Sequence, residues 1–366
     1  MEDQPQQDRA FEFDGTWQEY APIAFTNLLL TIVTLGIYRF WATARSRRYL
    51  WSRTRFIDDR LEWAGTGMEL FKGFVVVLFL FFLPVFLLNL LSQRLLLSGY
   101  GLIGGAISVL VILSIYYLIG VARFRATRYR LSRTYWRGIR GGSPDPGLVY
   151  GWSSMWKNFV GTLALGLLIP WSMVSLWNER WNRMSFGPYR FESHGRVEGL
   201  MGRFLLCYAL PFLALIGVAV AMVPMMMAAA AASAAGADTD SPVFAGLGAA
   251  GMVVMILGLY FLIGFVVMAY YAKFFRQMVD ATSLHTLEFG FTASTMDWIK
   301  LYLVDVALVV VTLGIGYIFL DYRHWKFMVS HMHAYGEINV DELTQSDLPE
   351  LHQGEGLLDA FDMGAF

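Results

Sequence analysis

Over 366 residues the hydrophobic fraction is 56% and the charged fraction 16%, which excludes an ordinary water-soluble domain. The net charge is −1, so any functional charge lies in its distribution along the chain. One cysteine, Cys207, excludes an internal disulfide.

Residues 1–10 are polar and acidic, lack the apolar core of a signal peptide, and read as disordered. Phe11 to Gly15 alternates and then turns, as a short strand does. Residues 17–33 read as a mostly apolar helix that Gly36 breaks. Residues 37–55 read as a second helix, in which Arg45, Arg47 and Arg48 sit among aromatic residues, a composition suited to the headgroup layer. Residues 61–65 read as another short strand, with Phe11 to Phe13 as its expected partner. A long hairpin follows, with helices near 70–92 and 101–122 and a turn at Ser98-Gly99. It ends in a basic run, 123–140, holding seven arginines and no acid, among them Arg123, Arg125, Arg128 and Arg130. Residues 155–177 form a second apolar segment, broken near Gly166. A second long hairpin spans 203–232 and 244–272, and a third broken segment carries Gly314. Residues 341–366 form an acidic flexible tail.

A shift of 130 carries Trp41, Trp51, Arg53, Gly65 and Phe74 onto Trp171, Trp181, Arg183, Gly195 and Phe204. A shift of 278 carries Thr34-Leu35-Gly36-Ile37 onto Thr312-Leu313-Gly314-Ile315 and Asn27 onto Asp305. The expected fold is an all-α integral membrane protein with a few short interfacial strands. Three repeated, glycine-broken helical units (11–72, 123–202 with its basic loop, and 273–340) alternate with two transmembrane hairpins (73–122 and 203–272).

The motifs Phe13-Asp14-Gly15, Thr-Leu-Gly-Ile-Tyr-Arg-Phe-Trp at 34–41 and Arg-Arg-Tyr-Leu-Trp at 47–51 recur in a known family. So do Gly-Thr-Gly-Met-Glu-Leu-Phe-Lys-Gly-Phe at 65–74 and Tyr-Arg-Leu-Ser-Arg-Thr-Tyr-Trp-Arg-Gly-Ile-Arg at 129–140. Together they resemble the YjgN-like family of bacterial inner-membrane proteins, over residues 11–340. The resemblance implies a multi-pass inner-membrane protein and no substrate. It also carries the expectation of a membrane-associated metallopeptidase partner, which no residue here indicates.

No zincin, Walker, nucleophile-elbow or paired-cysteine motif is present, so the reading includes neither an enzyme nor a cofactor. Asp305 and its counterpart Asn27 are the candidate intramembrane polar site. Gly36, Gly166 and Gly314 are the candidate helix breaks. His324, His331 and His333 are the candidate metal ligands, although no recognised ligand spacing joins them. The arginines point to anionic lipid headgroups of the bilayer rather than to nucleic acid, because they adjoin membrane helices.

Two functions remain, a transporter or channel and a non-transporting scaffold or lipid-interacting protein that recruits a partner. For topology, seven crossings would put the basic 178–202 loop outside. Four crossings keep the basic loops and the acidic tail cytoplasmic. In that arrangement the broken segments dip in and return or lie along the cytoplasmic face, and breaks at depth pack against the long hairpins.

Overall fold

A computed structural model describes residues 10–236, 242–336 and 344–345. The expectations for residues 1–9, for the loop at 237–241 and for nearly all of the acidic tail lie outside them. The chain divides into two compact units. One comprises Met1–Arg196, Arg276–Thr292 and Leu301–Phe366, and the other Val197–Phe275 and Ala293–Lys300.

The first unit is built on a sheet that the sequence reading greatly underestimated. Ten short strands among the described residues pair antiparallel in chain order. They are β1 (Phe11–Phe13), β2 (Thr54–Phe56), β3 (Asp59–Trp63), β4 (Thr134–Trp136) and β5 (Ile139–Gly142). The remainder are β6 (Ser185–Phe186), β7 (Tyr189–Ser193), β8 (Thr282–Leu284), β9 (Leu287–Phe291) and β10 (Met332–Tyr335). Phe11 pairs with Phe56 and Phe13 with Thr54, so β1 binds β2 and not the 61–65 segment expected. That segment lies in β3, which pairs with β2 and β4.

Two-residue turns join β2 to β3, β4 to β5, β6 to β7 and β8 to β9. Their first residues, Ile57, Arg137, Gly187 and His285, have φ of +56°, +51°, +55° and +54°. Such left-handed residues match the twist of a tight hairpin. The sheet curls until β10 lies beside β1 and is nearly closed. Phe56, Trp136 and Leu287 meet inside it, with Phe11, Phe186 and Ala334 packed around them.

Between successive turns the chain leaves the sheet as a pair of helices and returns. The short pairs are α1–α2 (Trp17–Val33, Arg39–Ser52), α6–α7 (Leu148–Leu163, Ile169–Trp181) and α10–α11 (Thr295–Val311, Leu320–His331). The first long pair is α3 (Gly67–Val77) continuing through a wider turn at Leu78–Phe82 into α4 (Leu83–Leu97), and then α5 (Gly101–Arg133). The second is α8 (Met201–Ala234) and α9 (Pro242–Asp280). Residues 123–133, expected as loop, complete α5, and the rest of that basic run forms β4 and β5. Among the described residues four helical stretches are long and apolar enough to cross a membrane: Gly67–Leu97, Gly101–Arg133, Met201–Ala234 and Ala250–Asp280.

At each break two consecutive residues are left-handed. Leu35, Leu165 and Leu313 have φ of +50°, +53° and +52°, and Gly36, Gly166 and Gly314 follow at +91°, +82° and +95°. Glycine is needed at the second place because a side chain there would be strained. The preceding threonine explains the Thr-Leu-Gly motif. Thr34 Oγ1 donates to the Leu30 carbonyl at 2.7 Å and accepts from the Tyr38 amide at 2.9 Å. Thr312 does the same with the Leu308 carbonyl and the Gly316 amide, each at 2.6 Å. One hydroxyl thus closes the outgoing helix and caps the returning one. The first and third breaks are not packed as expected: Leu35 and Leu313 are 94% and 93% exposed, and a Cβ on Gly36 or Gly314 would meet nothing within 4 Å among the described residues.

Within the second unit, Cys207 Sγ donates to the Val266 carbonyl at 3.3 Å, and Arg203 Nη1 donates to the Ala269 carbonyl at 2.9 Å.

In the first unit, three threonines fasten helices to the sheet. Thr54, Thr134 and Thr282 each donate to the carbonyl four residues back, at 2.8, 2.8 and 2.7 Å. Each also accepts an indole N–H from another helix pair: Trp325 on Thr54 at 2.9 Å, Trp51 on Thr134 at 2.9 Å and Trp177 on Thr282 at 3.2 Å. Thr54→Val keeps the shape but leaves the Trp325 donor without its acceptor, and should cost about 1–3 kcal/mol. Thermal unfolding in detergent reads the loss. In a Trp325→Phe background the same change should cost clearly less.

Candidate functional site

Asp305 is the one carboxylate in the apolar body of α10 and is 5% exposed. Burying a lone carboxylate is expensive, so it needs partners. α11 supplies two: Arg323 Nε lies 2.6 Å from Oδ1, and His324 Nε2 lies 2.7 Å from Oδ2. The acid therefore serves as a bolt between α10 and α11. Beside it is a cavity of about 590 Å³, with Arg323, Lys326 and Ser330 on its polar side and Trp17, Leu308 and Phe319 on its apolar side.

Asn27 is placed in a different helix pair and does not join this cluster. Its Nδ2 donates to the Ala42 carbonyl and to Ser46 Oγ, each at 3.3 Å, and its Oδ1 is buried without a partner. Ser46 also accepts from the Tyr20 hydroxyl at 3.1 Å. The role nevertheless matches that of Asp305: a polar side chain on the outgoing helix grips the returning one. The third such residue, Lys157 on α6, is missing from the sequence reading. Lys157 Nζ donates to Glu179 of α7 at 2.7 Å. A signal existed, since 27 plus 130 is 157.

The histidines do not converge. His324 is engaged with Asp305, His331 Nδ1 lies 2.8 Å from the Phe327 carbonyl, and His333 Nε2 lies 3.2 Å from Thr292 Oγ1. Among the described residues no three histidine, cysteine or acidic side chains are grouped to hold a metal ion.

The arginines fall into two sets. Arg45, Arg48 and Arg123 are exposed. Arg47 is buried at 7% with its guanidinium 5.1 Å from the Trp63 ring. Arg125 Nε donates to the Pro146 carbonyl at 3.0 Å, while Arg128 and Arg130 are half-buried on α5. Arg180 on α7, which the sequence places only among the basic residues of the 178–202 loop, is 8% exposed and stands 5.3 Å from the Trp177 ring. Nothing in the run Asn-Glu-Arg-Trp-Asn-Arg distinguishes it from its neighbours; only packing does.

The profile of a family described as bacterial proteins of unknown function, DUF898, matches residues 8–360. The chain belongs to that family. Its curated relatives carry the name inner membrane protein YjgN, in agreement with the resemblance drawn from the motifs. The one from Salmonella typhimurium is 24% identical over 376 aligned positions, covering 92% of this chain and 91% of that protein. The one from Escherichia coli O157:H7 is 38% identical over 73 residues, a match that spans only 20% of this chain and 18% of that protein. No solved structure matches the chain.

Asp305→Asn should leave the Arg323 charge uncompensated and lower stability by roughly 3 kcal/mol, the lower end for a broken buried pair because Arg323 is partly exposed. Unfolding of purified protein in detergent measures it. Adding Arg323→Gln should recover part of the loss, and a double variant no more stable than Asp305→Asn would contradict the pairing.

Proposed function

We propose that this is a multi-pass inner-membrane protein of the lipid-interacting kind, in which four helices cross the bilayer and three broken helix pairs enter one leaflet and return. The observation that carries the reading is the apolar tip of each broken pair. Leu35, Leu165 and Leu313 are 94%, 76% and 93% exposed, flanked by Val33 and Val311 at 77% and 80%. Such tips are costly in water and favourable in acyl chains. Their backbone is fit for that medium, because the Gly36 and Gly314 amides bond back to Thr31 at 2.7 Å and Val309 at 2.8 Å.

Length supports the distinction between the pairs. At 1.5 Å per residue, α1 and α10 reach about 25 Å, short of about 30 Å of hydrocarbon, while the four long stretches reach about 46–51 Å. Because every pair starts and ends in the sheet, an even number of crossings keeps all the strands on one side. The arginine-rich ends of the helices then share that side, which the positive-inside rule makes cytoplasmic. Gln345, the described part of the tail, bonds the Gly138 carbonyl at 3.1 Å and the Arg140 amide at 3.2 Å, consistent with a cytoplasmic tail. The relatives' name supports the inner membrane as the location.

We also read the three short pairs as copies of one motif. Adding 130 to the bounds of α1 and α2 gives 147–163 and 169–182, against Leu148–Leu163 and Ile169–Trp181 for α6 and α7. Adding 278 to α1 gives 295–311, the bounds of α10.

The cavity beside Asp305 favours a second reading, transport. Against it, the Asp305 charge is already engaged by Arg323 and His324. Solute flux into liposomes above that of protein-free vesicles would favour transport.

Cysteine labelling in a Cys207→Ala background tests the topology. His194, whose side chain is 79% exposed, and Asp240 are the positions to substitute. An impermeant reagent added outside should reach Asp240→Cys and not His194→Cys. The opposite pattern would restore seven crossings.

A further inference from the structure

Where α5, α6 and α7 meet, the carboxylates are already engaged. Glu179 accepts from Lys157 at 2.7 Å, from Arg183 at 2.9 Å and from the Ser153 hydroxyl at 2.5 Å. Asp145 takes the other end of the Arg183 guanidinium and accepts from the Gly147 amide at 2.7 Å. Arg180, next in the chain to Glu179, receives none of this. Its Nε is buried without a hydrogen-bond partner, and among the described residues no carboxylate pairs with it.

The tight join of the three helices keeps Arg180 there. Gly120 and Gly151 allow α5 and α6 to touch, since a Cβ on either would fall 2.6 Å from Ser154 Cβ or 2.4 Å from Val121 Cγ2. Tyr150 of α6 reaches across to α7, its hydroxyl donating to the Leu176 carbonyl at 3.3 Å. Phe124, Tyr150 and Leu176 form one buried cluster beneath. Burial lowers the pKa of Arg180; the Tyr150 phenol opposes this, and the like charges of Arg123 and Arg130 add to it. An arginine nevertheless stays protonated at neutral pH. Arg180 is thus a buried cation for which the described residues supply no counter-ion, an arrangement that is strongly destabilising unless something else supplies the negative charge.

We infer that Arg180, with the exposed Arg123 close enough to act on its charge, forms a binding site for a phosphate-type oxyanion. A guanidinium fork matches two oxygens of such a group. Arg123 follows directly on the uncharged stretch 102–122 of α5, which puts it at headgroup level if α5 crosses the bilayer. The phosphate of an anionic lipid is the ligand that position favours, and to that extent the inference rests on the membrane reading above. Inorganic phosphate has the same recognisable chemistry.

The test is thermal unfolding of delipidated full-length protein in a neutral detergent. Inorganic phosphate is titrated against chloride at equal ionic strength, and phosphatidic acid against phosphatidylcholine in mixed micelles. The unfolding midpoint of the natural sequence should rise with phosphatidic acid and not with phosphatidylcholine. A rise with inorganic phosphate as well would mean that the free anion suffices; a rise with the lipid alone would identify the headgroup as the source. Arg180→Gln should weaken the response by roughly tenfold to a hundredfold in half-saturating concentration, the size of a lost charged hydrogen bond. Arg123→Gln, at an exposed position that folding tolerates, should weaken it too, and Arg48→Gln should not. Arg180→Met should raise the ligand-free midpoint, since it removes the unpaired buried charge. No response in the natural sequence, or an equal response in Arg180→Gln and Arg123→Gln, would overturn the site. That failure would leave the labelling result, and with it the topology, untouched.

Discussion

The joint between a returning helix and its strand governs this architecture. Thr54, Thr134 and Thr282 each satisfy the last carbonyls of one helix and take the indole N–H of a tryptophan from another pair. A β-branched residue suits the first position of a strand, and its hydroxyl ends the helix there. The same atom therefore stops a helix, starts a strand and fixes the neighbouring pair. Trp51 and Trp325 stack at 4.0 Å between two such joints, so the first and last helix pairs are locked face to face. The Tyr322 hydroxyl adds a bond to the Gly15 carbonyl at 3.0 Å.

These joints hold up a sheet of very short strands. Two to five residues per strand bury too little to be stable alone. The sheet persists because every strand is continuous with a helix and because its inside is filled by Trp136, 1% exposed, with its Nε1 donating to the Phe56 carbonyl at 2.9 Å. The polar grips at Asn27, Lys157 and Asp305 do comparable work farther along the helices, each with a different chemistry.

Much of the helical plan was legible in the sequence. The mostly apolar run and the break at Gly36 bound α1 at Trp17–Val33, and the long apolar runs locate the long hairpins. The sheet was not legible, since strands this short carry almost no periodicity and their partners lie up to about ninety residues apart, as Glu192 and Ser283 do. Residues 123–133 read as loop because arginines dominate them, but they are helical, with Phe124, Ala126 and Tyr129 on the buried side. Of the candidate site, the position of Asp305 is legible, and so is its need for a partner such as a neighbouring arginine, but not that Arg323 and His324 are those partners. Arg180 had no sequence signal, because its interest lies in lacking a partner, which is a property of three dimensions.

The ring of strands also bears on how the protein is made. β1 is among the first described elements to be synthesised and β10 among the last, yet they end as neighbours. Until α11 emerges, Thr54 has no Trp325 and Gly15 no Tyr322, and the sheet has an open edge on both sides. The helix hairpins can enter the bilayer one after another during translation, but closure of the ring has to wait for the final pair. In the four-crossing reading all four crossing helices precede that pair, so the spans can be in place while the sheet is incomplete and its strand edges are available to a chaperone or to another chain.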